Sequence, residues 1–109
     1  MFKQEKWSFT GDSGTEYFFE IKMKSSTLPP SGGVYILSYT HPRGHLAGFE
    51  AHPLYIGQTD NLNKTLSAPP QLKCITEECW NCTYILSAED EQTRINCVQD
   101  LLKNYQTPC

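Results

Sequence analysis

The chain has 109 residues, with 9 Lys and Arg against 12 Asp and Glu for a formal net charge of −3; 39% of residues are hydrophobic and 12% aromatic. A chain of this length makes one ordinary domain and buries roughly 60–70% of its unfolded surface, and the composition predicts a folded, soluble protein. The acidic balance argues against a protein that grips phosphate backbones through surplus Lys and Arg. The longest apolar runs are about five residues where a membrane span takes roughly 20, so no membrane partner is expected. Met1-Phe2-Lys3-Gln4-Glu5-Lys6 puts charges where an export signal needs an apolar core, so the expected location is the cytoplasm. Reduced thiols are then expected at Cys74, Cys79, Cys82, Cys97 and Cys109.

Trp7 and Phe9 alternate with Ser8 and Thr10, Gly11-Asp12-Ser13-Gly14 supplies turn chemistry, and Tyr17, Phe19, Ile21 and Met23 resume a period of two. That pattern predicts a β-hairpin from Trp7 to Met23. Pro29-Pro30 and Gly32-Gly33 mark the stretch from Ser25 to Gly33 as a linker. Val34 to Tyr39 is β-branched and aromatic and reads as a strand. Thr40 to Pro53, with His41, Arg43, His45 and His52, reads as a polar loop, a solvated hairpin end whose imidazoles and guanidinium could meet phosphate or metal. Leu54-Tyr55-Ile56 makes a short strand ending at Gly57, and Asp60 is the expected N-cap of about two helical turns that Pro69-Pro70 stops. Thr83 to Leu86 reads as another strand. Ser87 and Asp90 form a capping-box pattern before a helix whose Ile95, Val98, Leu101, Leu102 and Tyr105 share one face. The fold class is α+β, a small antiparallel sheet flanked by helices with an extra N-terminal hairpin.

Gly33-Val34-Tyr35 on one strand and Tyr55-Ile56-Gly57 on the next, followed by Gln58-Thr59-Asp60-Asn61-Leu62, resemble the GIY-YIG nuclease domain. The resemblance runs from about Gly33 to Cys109 and takes in the last helix and the closing Tyr105-Gln106-Thr107-Pro108-Cys109 segment. It divides the chain into residues 1–32, a hairpin extension and linker similar to that of small stand-alone bacterial members, and residues 33–109, the GIY-YIG-like core. Cys74 and Cys109 also stand where similar small proteins often have cysteine. The resemblance implies a site in which a motif tyrosine helps activate water, an arginine on the first helix neutralises the charge building on phosphate, and a glutamate on the long helix holds Mg²⁺ or Mn²⁺.

Carried over residue by residue, the tyrosines are Tyr35 and Tyr55 and the motif glycine is Gly57, but the arginine register holds Thr65, beside Lys64. A histidine found in many members falls near Pro69, and the glutamate register holds Val98. Threonine has no charge, proline no donor and valine no metal ligand. Asp100, the nearest carboxylate, lies about 200° around the helix from Val98. Residues 33–109 carry five basic and eight acidic groups, so the whole −3 lies in this part. The expectation is therefore a catalytically silent GIY-YIG-like domain without a cofactor, binding protein or nucleic acid around Tyr35, Tyr55 and the His-rich loop. Two alternatives remain: a divergent metal-dependent endonuclease, and an interaction module in which Cys74, Cys79 and Cys82 hold zinc. Oligomeric state is not legible in the sequence.

Overall fold

The computed structural model describes residues 6–23, 26–42 and 48–109. The charged residues 1–5, the start of the linker at Ser25, and Arg43 and His45 lie outside the described residues. Five strands and three helices follow in the order β1 (Lys6–Thr10), β2 (Glu16–Met23), β3 (Gly33–Pro42), β4 (Phe49–Thr59), α1 (Leu62–Ser67), α2 (Leu72–Glu77), β5 (Cys82–Ser87) and α3 (Glu91–Leu102). The strands form one antiparallel sheet ordered β1-β2-β5-β3-β4. The chain is thus α+β, as its patterning implies, and no helix among the described residues is long and apolar enough to cross a membrane.

Strand β3 explains the architecture. It pairs with β4 on one side and β5 on the other, and its residues from Gly33 to Ser38 are all buried. A strand covered on both faces needs apolar side chains without alternation. On one face Val34 and Ile36 pack with Phe9, Phe19, Ile56, Cys82 and Tyr84 against Cys97 and Leu101 of α3. On the other, Tyr35 and Leu37 pack with Leu54 and Ile85 against Leu62 of α1, Ile75 of α2 and Trp80.

Alternation in β4 changes phase at one place. Leu37 pairs with Tyr55 but Ser38 pairs with Pro53, so Leu54 is an extra residue, a β-bulge. Its carbonyl accepts a hydrogen bond from the Cys109 N–H at 3.0 Å. Cys109 is in turn bonded to Cys74 of α2 in a disulfide with a Cα–Cα distance of 5.9 Å. The expectation that all five thiols are reduced is corrected here: α2 and the C-terminal segment bring two cysteines 35 positions apart into bonding range, leaving Cys79, Cys82 and Cys97 free.

Several local expectations move. Most of the stretch from Thr40 to Pro53, read as loop, is strand, because β3 and β4 continue pairing out to Pro42 and Phe49. The cap of α1 is Asn61 rather than Asp60, its side chain accepting from the Lys64 N–H. Helix α3 is capped by Asp90 itself, which accepts from the Thr93 N–H and hydroxyl, while Ser87 ends β5. The buried face of α3 is Arg94, Cys97 and Leu101; Leu102 is 46% exposed. Helix α2 has no counterpart in the sequence reading.

Asp100 holds the N-terminal hairpin to α3. Its carboxylate accepts from the Ser13 N–H at 2.8 Å, the Ser13 hydroxyl at 2.6 Å and the Tyr17 hydroxyl at 2.7 Å, and its backbone carbonyl accepts from the Asp12 N–H. A Cβ at Gly11 would run into this carboxylate, so a side chain there would displace Asp100 from its hydrogen bonds. The Ser13 hydroxyl, then Tyr17 and the Ser13 N–H, hold the Asp100 carboxyl below the usual carboxylate range. A depressed folded value means stability that is present above the ordinary carboxylate pKa and lost as pH falls through the folded one. Thermal midpoints of the native chain and Asp100→Asn, measured across the acid range, should therefore differ at neutral pH and converge at low pH. A gap that stays constant with pH would show that the charge contributes nothing.

Candidate functional site

The two triplets come together in register. Tyr35 pairs with Gly57 across β3 and β4, and the Tyr35 and Tyr55 rings lie 6.1 Å apart with planes 24° from parallel. Gly57 is closed in by both: a Cβ there would meet the Tyr35 hydroxyl at 2.6 Å and the Tyr55 ring at 3.0 Å. The glycine thus makes room for the tyrosine pair. Tyr35 is only 3% exposed, and Tyr55 is half-buried. Burial foremost, and the Tyr55 phenol beside it, push the Tyr35 hydroxyl above the ordinary tyrosine range. A proton acceptor must work near the pH of the reaction, so Tyr35 is poorly suited to take a proton from water.

Around this pair the implied catalytic set does not assemble. Thr65, at the arginine register, shares a 2.6 Å hydrogen bond with the Thr59 hydroxyl and ties α1 to the end of β4. Lys64 is exposed, and Pro69 follows the end of α1. Val98 packs in the cluster of Phe9, Phe19 and Tyr84, across the sheet from the tyrosines. Asp100 is held by the hairpin turn.

A buried cation, Arg94, is bonded to the residue that follows the second triplet. Arg94 is 4% exposed; its Nε donates to Gln58 Oε1 at 2.9 Å and its Nη1 to the Ala88 and Glu89 carbonyls at 3.0 and 2.8 Å. Gln58 directly follows the Tyr-Ile-Gly triplet, so Arg94 fastens the exit of β4 to the start of α3. A Cβ at Gly32 would meet this guanidinium at 2.7 Å. The only sequence signal was an arginine interrupting the apolar face of a helix, and its partners are neutral acceptors that no charge pattern reveals.

The three cysteines proposed as zinc ligands are dispersed in role. Cys74 is in the disulfide, Cys79 is exposed, and Cys82 is buried on the α3 side of the sheet. Burial pushes the Cys82 thiol up, as it does Cys97, which reaches about 12. Of the three histidines, His41 and His52 face each other on the distal half of the β3–β4 hairpin, with Tyr39 alongside both rings. They share the tyrosine face because of the bulge. Counting back from Tyr55 in strict alternation would put Pro53 and Ala51 there; the extra residue at Leu54 substitutes His52 and Glu50. No protein-family model, no curated protein and no solved structure matches this chain.

Proposed function

We propose that the chain is a GIY-YIG-like domain without nuclease chemistry, acting as a binding module through the surface around the Tyr35–Tyr55 pair, where Tyr55 and the distal β3–β4 hairpin are the accessible parts. The observation that carries this reading is the separation of the catalytic registers. Tyr35 is buried beneath its neighbours, Thr65 is hydrogen-bonded to Thr59, and Val98 lies across the sheet. Phosphodiester hydrolysis needs a base, a cation and a metal-holding carboxylate converging on one phosphate. Arg94 and Asp100, which could have stood in for the missing cation and carboxylate, are engaged in the fold, Arg94 through Nε and Nη1 and Asp100 through both carboxylate oxygens. Pairing of the two triplets on adjacent strands supports the family resemblance; the net charge of −3 supports a role other than gripping DNA.

The test is supercoiled plasmid incubated with the protein and Mg²⁺ or Mn²⁺, run on a gel that reads both nicking and retardation. No nicking is expected from the native chain. Thr65→Arg is expected to stay inactive too, since it restores one register and leaves the carboxylate missing. Nicking by the native chain that disappears in Tyr55→Phe would overturn the reading in favour of a divergent endonuclease.

A further inference from the structure

The distal half of the β3–β4 hairpin carries a cluster that the nuclease resemblance does not account for. His41 Nε2 lies 2.9 Å from His52 Nε2, and Glu50 Oε2 lies 3.8 Å from the first and 3.5 Å from the second. Among the described residues, this is the one group of three His, Cys, Asp or Glu side chains whose ligand atoms converge.

The hydrogen bonds fix which atoms face inward. His41 Nδ1 lies 2.7 Å from the Pro42 carbonyl, and a carbonyl only accepts, so Nδ1 carries the hydrogen. Neutral His41 therefore turns an Nε2 lone pair toward His52, whose Nε2 must be the donor between them. The His41 lone pair and the Glu50 carboxylate then compete for a single N–H. One divalent cation in place of that proton would satisfy all three groups. The contact from His41 Nδ1–H to a backbone carbonyl is also the outer contact that orients a metal-bound histidine and selects its tautomer.

Size agrees with charge. A tetrahedral ion with ligands at about 2.0–2.1 Å spaces them about 3.3–3.4 Å apart. The edges of 2.9, 3.5 and 3.8 Å bracket that spacing, so closure needs only small movements of side chains at the surface. Tyr39, with its ring 5.3 Å from His41 and 6.1 Å from His52, restrains both imidazoles. Two imidazoles and one carboxylate suit a borderline transition metal better than Mg²⁺ or Ca²⁺, which favour oxygen.

We propose that His41, His52 and Glu50 form a three-ligand site for a divalent transition-metal ion, zinc foremost, with a fourth position open to water or a partner's donor. The site shares a face with Tyr35 and Tyr55 but uses neither, and it stands or falls independently of the nuclease resemblance.

The test is titration of the full chain, disulfide intact, with Co²⁺ and then Zn²⁺, followed by calorimetry and visible absorption. One ion per chain is expected, with cobalt d–d bands, no thiolate charge-transfer band, and displacement of cobalt by zinc. His41→Ala and His52→Ala should each weaken binding by roughly 100-fold or more and Glu50→Gln by roughly 10-fold, with Cys79→Ser unchanged. Circular dichroism checks the fold of each variant, and Glu50→Gln, which keeps side-chain shape, reads the site if a histidine change disturbs the hairpin. Absence of binding, unchanged affinity in the variants, or a thiolate band that Cys79→Ser abolishes would overturn the proposal.

Discussion

Phe19→Ala is expected to destabilise the protein by about 3–5 kcal/mol, the range for truncating a fully buried phenylalanine. Phe19 has no exposed surface and meets Phe9 edge-on at 5.6 Å; Phe9 in turn packs edge-on against Tyr84 at 5.0 Å and Tyr105 at 5.8 Å. One ring in the N-terminal hairpin is thereby packed into a cluster that reaches β5 and the segment after α3. The measurement is a urea titration followed by tryptophan fluorescence and far-ultraviolet circular dichroism. Both probes should shift together, because the hairpin shares its core with β3, β4, β5 and α3. Phe18→Ala is the control: Phe18 alternates to the other side, is 58% exposed, and should change stability by less than about 0.5 kcal/mol. A small effect at Phe19, or a separate early transition for the hairpin, would show that residues 6–23 are an appendage.

Reducing the Cys74–Cys109 disulfide, or replacing both cysteines by serine, is expected to cost on the order of 3–4 kcal/mol through the loop entropy returned to the unfolded chain. The bond closes a loop of 35 positions, and the segment it restrains donates the Cys109 N–H to the carbonyl of the bulge residue Leu54. The effect should therefore extend to β4. Amide exchange in β4 and α2 should quicken more than in α3, whose buried face packs on the opposite side of the sheet. Equal stability with and without reductant would remove the disulfide from the account of this fold.

Elements with a strong period or an unbroken β-branched and aromatic run were legible from the residues alone. The Trp7–Met23 hairpin, the Val34–Tyr39 strand and the final helix each carry many consecutive positions that agree. What stayed hidden depends on partners distant in sequence. Helix α2 is six residues long and is entered through Gln71 at φ 56°, with no side-chain cap to announce it. On α3, Leu101 is buried and Val98 and Tyr105 pack against the core as their spacing implies, but the buried face also takes in Cys97 and Arg94, which bonds Gln58, while Leu102 lies in solvent.

The candidate site divides the same way. Pairing of the tyrosine triplets followed from adjacent strands, whereas the placing of Val98 across the sheet from them needed the fold. The bulge at Leu54 was the larger omission. One inserted residue reverses which side chains of β4 accompany the tyrosines, and only the pairing register reveals it. With strict alternation assumed, His52 and Glu50 would have been assigned to the wrong side.

The strand order β1-β2-β5-β3-β4 bears on how the chain is made. Each hairpin can close as soon as its own residues exist, but the two hairpins never touch as neighbours; β5, arriving more than twenty residues after β4 ends, supplies both seams. Until residues 82–87 leave the ribosome, the inner borders of β2 and β3 are unpaired, and β3 has seven buried residues, more than any other strand. Such borders recruit other unfinished chains. A nascent chain halted before β5 would thus be far more prone to self-association than one halted just after it, although the two differ by a handful of residues.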